Sequence, residues 1–271
     1  MSAADFDTQL RKTDPDRRMA ALFASPDIRQ RLFALYAFNH EIARISEASS
    51  ESLIGQMKLT WWRDAIEDLY ASPAIIRRHD VTETLAAMTD ILPKADLLQL
   101  IEARFADVSA RPYASMDEVL TYLDDTSVVI MRLGLKLADV ELEEGWVRQA
   151  GRAWGLTGLM RAFPHRAHIG RAPIGLDALD AAGLTPAMLA QGLGESALAQ
   201  AVEPVRKIAR KAVDDFKSFG PLPQQAMPVM GYAVLSKMYL KQLADNPYQI
   251  TPEPGLLSRQ ARLGWCSLTG R

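Results

Sequence analysis

The stretch DIRQRLFALYAFNHEIARISEASSESLIGQMKLTWW, Asp27–Trp62, decides how this chain is read. Leu35, Phe38, Ile42 and Ile45 recur at spacings of three, four and three, which draws one apolar stripe along a helix and sets a core against that side. Asn39, Ala43 and Glu47 follow one another at i, i+4 and i+8 on another stripe of the same helix, where a helix facing a cavity would present a row of functional groups. That row holds a single carboxylate.

On either side the same helical grammar continues. Ser25-Pro26-Asp27 supplies a helix start, with the proline near the first turn. EASSES, Glu47–Ser52, is a polar break, and Leu53–Ala71 reads as the next helix, stopped by Ser72-Pro73. Val81–Leu92, Lys94–Ala110, Met116–Ala138 and Glu141–Phe163 are further helical segments, and Pro164 is read as ending the last. His165–Pro186, rich in Gly, Pro and Arg, reads as an irregular connection or lid, followed by helices over Pro186–Gly192, Ala197–Phe219 and Met227–Asp245. With strand patterns scarce and no internal repeat, the expected fold is one all-α domain over 16–246, between a polar lead-in over 1–15 and a Pro-rich tail over 247–271.

At 271 residues the chain is ample for a sizeable core, and a net charge of −2 with pI near 6.1 offers no electrostatic case for nucleic acid. The N-terminal residues interleave acids and bases without an apolar run, so they do not read as a secretory signal. No stretch approaches the roughly 18 apolar residues of a membrane span. Cys266, the only cysteine, cannot form an intramolecular disulfide, which agrees with a reducing, cytoplasmic setting.

Four blocks carry a resemblance. Leu35-Tyr36-Ala37-Phe38 is followed by Gln56-Met57-Lys58-Leu59-Thr60-Trp61-Trp62-Arg63-Asp64; Gly151-Arg152-Ala153-Trp154-Gly155-Leu156-Thr157 leads into Leu159-Met160-Arg161; and Arg171-Ala172-Pro173 precedes Asp177, Leu179 and Gly183. In this order, over roughly Asp16–Asn246, they resemble the squalene/phytoene synthase family, the head-to-head prenyl transferases. The resemblance implies an isoprenoid-synthase-like helical bundle around a central cavity, between the helices bearing Ala43 and Ala162.

Active members of that family hold magnesium and a substrate diphosphate between two aspartate-rich motifs on facing helices. By resemblance the first falls on Ala43-Arg44-Ile45-Ser46-Glu47, where only Glu47 keeps a carboxylate, and the second on Ala162 to Arg166, where Ala162 and Arg166 replace both acids. Magnesium wants octahedral oxygen ligands, and neither Ala nor Arg supplies one. Without metal, the charge growing on a departing diphosphate loses several kcal/mol of stabilisation.

Phe38-Asn39-His40-Glu41-Ile42-Ala43, Ile54-Gly55-Gln56-Met57-Lys58-Leu59, Glu67-Asp68-Leu69-Tyr70 and Gly158 to His165 are similar to the branch of the family that contains the mitochondrial assembly factor for respiratory complex I. That similarity implies no catalytic residue and no cofactor, with a complex I subunit or a lipid as partner and peripheral contact with the inner membrane. The alternative is a prenyl transferase acting on farnesyl or geranylgeranyl diphosphate, for which magnesium would be needed.

Other residues admit two readings each. Arg161, His165, Arg166 and Arg171 could gather at the cavity mouth and bind an anion through guanidinium forks, or pair with acids. Tyr36, Asn39, Gln56, Trp61 and Trp62 could line the cavity, although Leu59, Trp62 and Ile66 at helical spacing also read as core. Asp124-Asp125 and Asp214-Asp215 could be relocated metal pairs, but neighbours on a helix diverge by about 100°, which favours solvated faces. His165 and His168 lack companion ligands and read as a solvated loop. Leu256–Trp265, with Arg259 and Arg262 among apolar residues, could lie on a membrane surface or fray as a tail.

Overall fold

The computed structural model, which describes residues 3–48 and 51–271, begins with a helix where the sequence reads as a polar lead-in. Helix α1 (Ala3–Thr13) packs along α3 (Pro26–Ala43) and buries Phe6 and Leu10. Two apolar residues four apart are a weak pattern, and this helix is held by its partner rather than by propensity. Between the two lies α2 (Pro15–Ala21), capped by Asp14, whose carboxylate accepts from the Arg17 backbone N–H at 3.3 Å.

The expected stripe on α3 is buried, and so is every residue from Leu32 to Phe38. The helix is therefore central rather than one-sided. Beyond the break at Arg44 come α4 (Ile45–Ala48), α5 (Ser52–Leu69), α6 (Asp80–Ala86) and α7 (Lys94–Val108), with Ser49 and Ser50 of the polar break outside the described residues. Next, α8 (Met116–Leu123), a π-helical segment (Asp124–Val128) and α9 (Val129–Leu137) follow without interruption. Ser115 Oγ accepts from Glu118 N at 3.4 Å while the Glu118 carboxylate reaches back to Ala114 N at 2.6 Å, a variant of the capping box that fixes where α8 starts. α3 is covered by α1, α6, α7 and α9.

α10 (Glu144–Arg161) separates two hydrophobic cores. Its Val147, Ala150 and Trp154 join the core around α3 and α9, and its Ala153, Leu156, Leu159 and Met160 join a second one. The π segment presses against it: a Cβ at Gly151 would stand 2.6 Å from Val128 Cγ2 and 2.8 Å from Val128 Cα, so glycine is what lets the backbones approach.

Pro164 does not end the helical course. It occupies the first turn of α11 (Phe163–His168), where a missing N–H costs nothing, and α12 (Leu176–Ala181) and α13 (Pro186–Ala190) follow, so the segment read as an irregular lid is largely short helices. α14 (Glu195–Ser218) closes the second core. α15 (Met227–Met230) and α16 (Ser236–Gln242) are separated by a 3₁₀ turn, and α17 (Leu256–Thr269) replaces the expected loose tail, burying Arg259, Leu263 and Cys266 at spacings of four and three. No strand occurs among the described residues, and no helix of theirs is long and apolar enough to cross a membrane.

Candidate functional site

Asp107, in the last turn of α7, is 6% exposed and is the hub of a buried polar network. Its Oδ1 accepts from Arg171 Nε at 3.1 Å and Arg166 Nη1 at 3.3 Å; its Oδ2 accepts from the Tyr122 hydroxyl at 2.6 Å and Arg104 Nη1 at 3.3 Å. Arg104 also donates to the Tyr122 oxygen at 2.7 Å and to Asn39 Oδ1 at 3.2 Å. An unbroken chain of polar contacts thus runs from Asn39 on α3, through Arg104 and Asp107 on α7, to Arg166 on α11. Arg171 donates to the Arg111 carbonyl, and its guanidinium lies 4.2 Å from the centre of the Tyr113 ring.

Burial works against the Asp107 charge, yet Arg166, Arg104 and Arg171 together with the Tyr122 hydrogen bond hold its carboxyl below the usual range. Burial also pushes the Tyr122 and Tyr113 phenols up, so both stay neutral. Three guanidiniums surround one carboxylate, a formal sum of +3 − 1 = +2.

The four residues expected at the cavity mouth are not gathered into one anion site. Arg166 and Arg171 belong to the Asp107 network, and His165 is exposed. Arg161 turns elsewhere: its Nη2 lies 2.5 Å from Glu253 Oε1, and its guanidinium stacks 4.0 Å from the Tyr239 ring centre. The new helix that begins at Phe163 separates the directions of Arg161 and Arg166. Tyr239 donates to Asp16 Oδ2 at 2.5 Å and Arg259 Nη1 donates to Asp16 Oδ1 at 2.9 Å, so a second network ties α2, α16 and α17 together.

The positions assigned by resemblance to the two metal motifs are now placed. Ala43 is the last residue of α3 and Ala162 caps α10; neither offers an oxygen side chain. Arg44 is exposed and pairs with Glu41 at 2.7 Å, and Glu47 is exposed on α4. Arg166 brings a cation where the resemblance calls for a carboxylate. These side chains do not fit a magnesium diphosphate site.

Tyr36 is buried beneath the Arg17 guanidinium, 5.7 Å from its ring centre, and burial raises its phenol well above its ordinary value. Gln56 is exposed and its Nε2 donates to Ser52 Oγ at 3.2 Å. Trp62 packs edge-on to Phe38 at 5.5 Å and Trp61 at 5.1 Å; with Glu41, Arg44 and His79 the two tryptophans border a surface groove of about 370 Å³. Asp124 takes a two-pronged bond from Arg152 at 2.7 and 2.6 Å and Asp125 accepts from Gln99 at 2.6 Å, so these adjacent carboxylates are spent on different partners; Asp215 pairs with Lys211 at 2.6 Å. His168 Nδ1 lies 3.3 Å from the Ala190 carbonyl oxygen. Among the described residues no three His, Cys, Asp or Glu side chains converge as metal ligands.

Sequence reasoning passed over Arg104, Asp107, Tyr113 and Tyr122. The one local cue was Arg104 and Asp107 at i, i+3, which any solvated helix face also shows.

The same arrangement of helices recurs in solved structures. The chain superposes on a dehydrosqualene synthase with a TM-score of 0.81 over 98% of this chain and 95% of the other, at 15% identity, and on a squalene synthase from Alicyclobacillus acidocaldarius with a TM-score of 0.70 over 88% and 92%, at 17% identity. Among curated proteins it is 24% identical over 244 residues to assembly factor 6 of NADH dehydrogenase (ubiquinone) complex I from Bos taurus, covering 89% of this chain and 73% of the relative. It is 26% identical over 241 residues to a presqualene diphosphate synthase from Sinorhizobium fredii, covering 86% and 76%. Residues 10–265 match the squalene/phytoene synthase family, and the chain belongs to that family.

Proposed function

We propose that this protein is a non-catalytic member of the family that supports assembly of a respiratory NADH dehydrogenase by binding a subunit or a lipid. The observation that carries the reading is the Arg166–Asp107 contact at 3.3 Å. A guanidinium occupies a position that, by resemblance, a metal-binding carboxylate holds in a synthase, and Ala43, Arg44 and Ala162 leave Glu47 as the one carboxylate among the positions assigned to the two motifs. The similarity to complex I assembly factors supports the assembly role. The working place is the cytoplasmic side of the inner membrane, and no magnesium is needed.

Deleting the gene should lower NADH dehydrogenase activity and the assembled complex on native gels, and restoring the gene should recover both. The purified protein should form no squalene or phytoene from radiolabelled farnesyl or geranylgeranyl diphosphate with magnesium. Normal complex in the deletion strain, together with altered squalene, hopanoid or carotenoid content, would replace this reading with a head-to-head prenyl transferase, which the similarity to a presqualene diphosphate synthase favours.

A further inference from the structure

Helix α17 is apolar on two opposite sides. Arg259, Leu263 and Cys266 turn inward, whereas Leu257, Ala261, Trp265 and Leu268, at spacings of four, four and three, form an outward stripe. Leu257 is 80% exposed, Trp265 59% and Leu268 85%. Scattered surface leucines need no explanation, but a second full stripe on a helix already anchored by its first marks a surface built for contact. Ile250, before the helix, and Leu256, its first residue, are exposed as well.

Cations outnumber acids around the stripe. α16 and α17 contain Lys237, Lys241, Arg259 and Arg262 and no carboxylate, and only Arg259 faces inward. Lys237 and Lys241 border, with Arg206 and Arg210, a groove of about 510 Å³ floored by Val213 and Leu240; Asp214 and Asp245 are the acids on its rim. Lys217, Arg262 and Arg271 border a second groove beside it. Partial burial and then Lys237, Arg262 and Lys241 lower the Lys217 ammonium pKa, against an opposing pull from Asp214.

We propose that this face docks the protein on an anionic phospholipid bilayer, with α17 lying in the interface, Trp265 and Leu268 among the acyl chains, and Lys217, Lys237, Lys241 and Arg262 against the phosphates. Tryptophan prefers the headgroup level, lysine and arginine stems reach outward past apolar surface, and an anionic leaflet attracts the cations that flank the stripe. Since no described helix can span a bilayer, the contact is made by lying on it. The proposal stands on these observations and not on the assembly role.

The test sediments the purified full-length protein with phosphatidylcholine vesicles, with and without phosphatidylglycerol. Binding should require phosphatidylglycerol, weaken with salt, and fall about tenfold or more in Trp265→Glu/Leu268→Glu and in Lys237→Glu/Lys241→Glu. These side chains are exposed, and circular dichroism checks that each variant is folded; Trp265→Ser/Leu268→Ser serves where the acidic pair fails to fold. Absence of binding, equal binding to neutral vesicles, or variants that bind as the wild type does would each overturn the proposal. So would a dimer in sedimentation velocity that Leu268→Glu dissociates, since the stripe would then belong to a second copy. Failure here would leave the gene-deletion result unaffected.

Discussion

Arg166 Nη1 stands 3.3 Å from Asp107 Oδ1, joining α11 to α7 across 59 residues of chain. Arg104 and Arg171 share the same carboxylate, so one Asp107 answers three guanidiniums. All four groups are largely enclosed, so removing Asp107 leaves three buried cations without their shared counter-charge.

Asp107→Asn should therefore destabilise the fold by about 3–5 kcal/mol, because three buried guanidiniums lose their only carboxylate. Thermal unfolding should fall by roughly 10 °C for a chain of this size. A loss below about 1 kcal/mol would mean that water, not Asp107, satisfies these arginines.

The same carboxylate gives a signed pH effect. Its folded pKa lies below the unfolded value of about 3.9, so its contribution is complete above roughly pH 4 and is lost as pH falls through the lower, folded value. In urea melts, the gap between wild type and Asp107→Asn should be widest near neutrality and should narrow below about pH 4. A gap that widens on acidification would reverse the sign and the account of the charge.

Ala43→Asp/Ala162→Asp/Arg166→Asp should raise magnesium affinity, measured by titration calorimetry, over a wild type that binds the ion weakly. The change removes a cation and adds three oxygen-bearing side chains. Unchanged affinity in a folded variant would mean that these positions do not face one another as the family resemblance implies.

Two glycines on α10 should respond in opposite ways. Gly151→Ala drives a methyl into the Val128 backbone at 2.8 Å and should cost about 1–3 kcal/mol. Nothing lies within 4 Å of a Cβ at Gly158, and Gly158→Ala should gain up to about 1 kcal/mol from helix propensity. Equal effects in chemical denaturation would show that the close approach at the π segment is not a constraint.

The long helices were legible because their apolar spacing is local, and Leu35, Phe38, Ile42 and Ile45 all proved buried. What covers α3 on its remaining sides was not, since burial of Leu32–Phe38 depends on α1, whose Phe6 and Leu10 make a short pattern, and on distant α9. The site was half legible. Block order assigns Ala43, Ala162 and Arg166 to the motif positions by resemblance, but the partner of Arg166 lies on another helix, and nothing local singles out Asp107 from the other acids of helix faces. The proposed gathering of Arg161 with Arg166 failed for a geometric reason: Pro164 starts a new helix between them. The segment from Leu256 read either as a membrane- or partner-facing stretch or as a frayed tail, since a lone helix of this length is marginal in water; Arg259 on Asp16 and the burial of Leu263 and Cys266 tie it down.

Arg259 and Asp16 are 243 residues apart. A ribosome adding about 5–20 residues per second would take on the order of 10–50 s between making the carboxylate and making the guanidinium that answers it. Throughout that interval Asp16 lacks the Arg259 guanidinium, and the groove that receives α17 stays open. The nascent chain therefore depends on its last helix to close the bundle, and a product released early would carry an exposed core seam of the kind that chaperones hold and proteases cut.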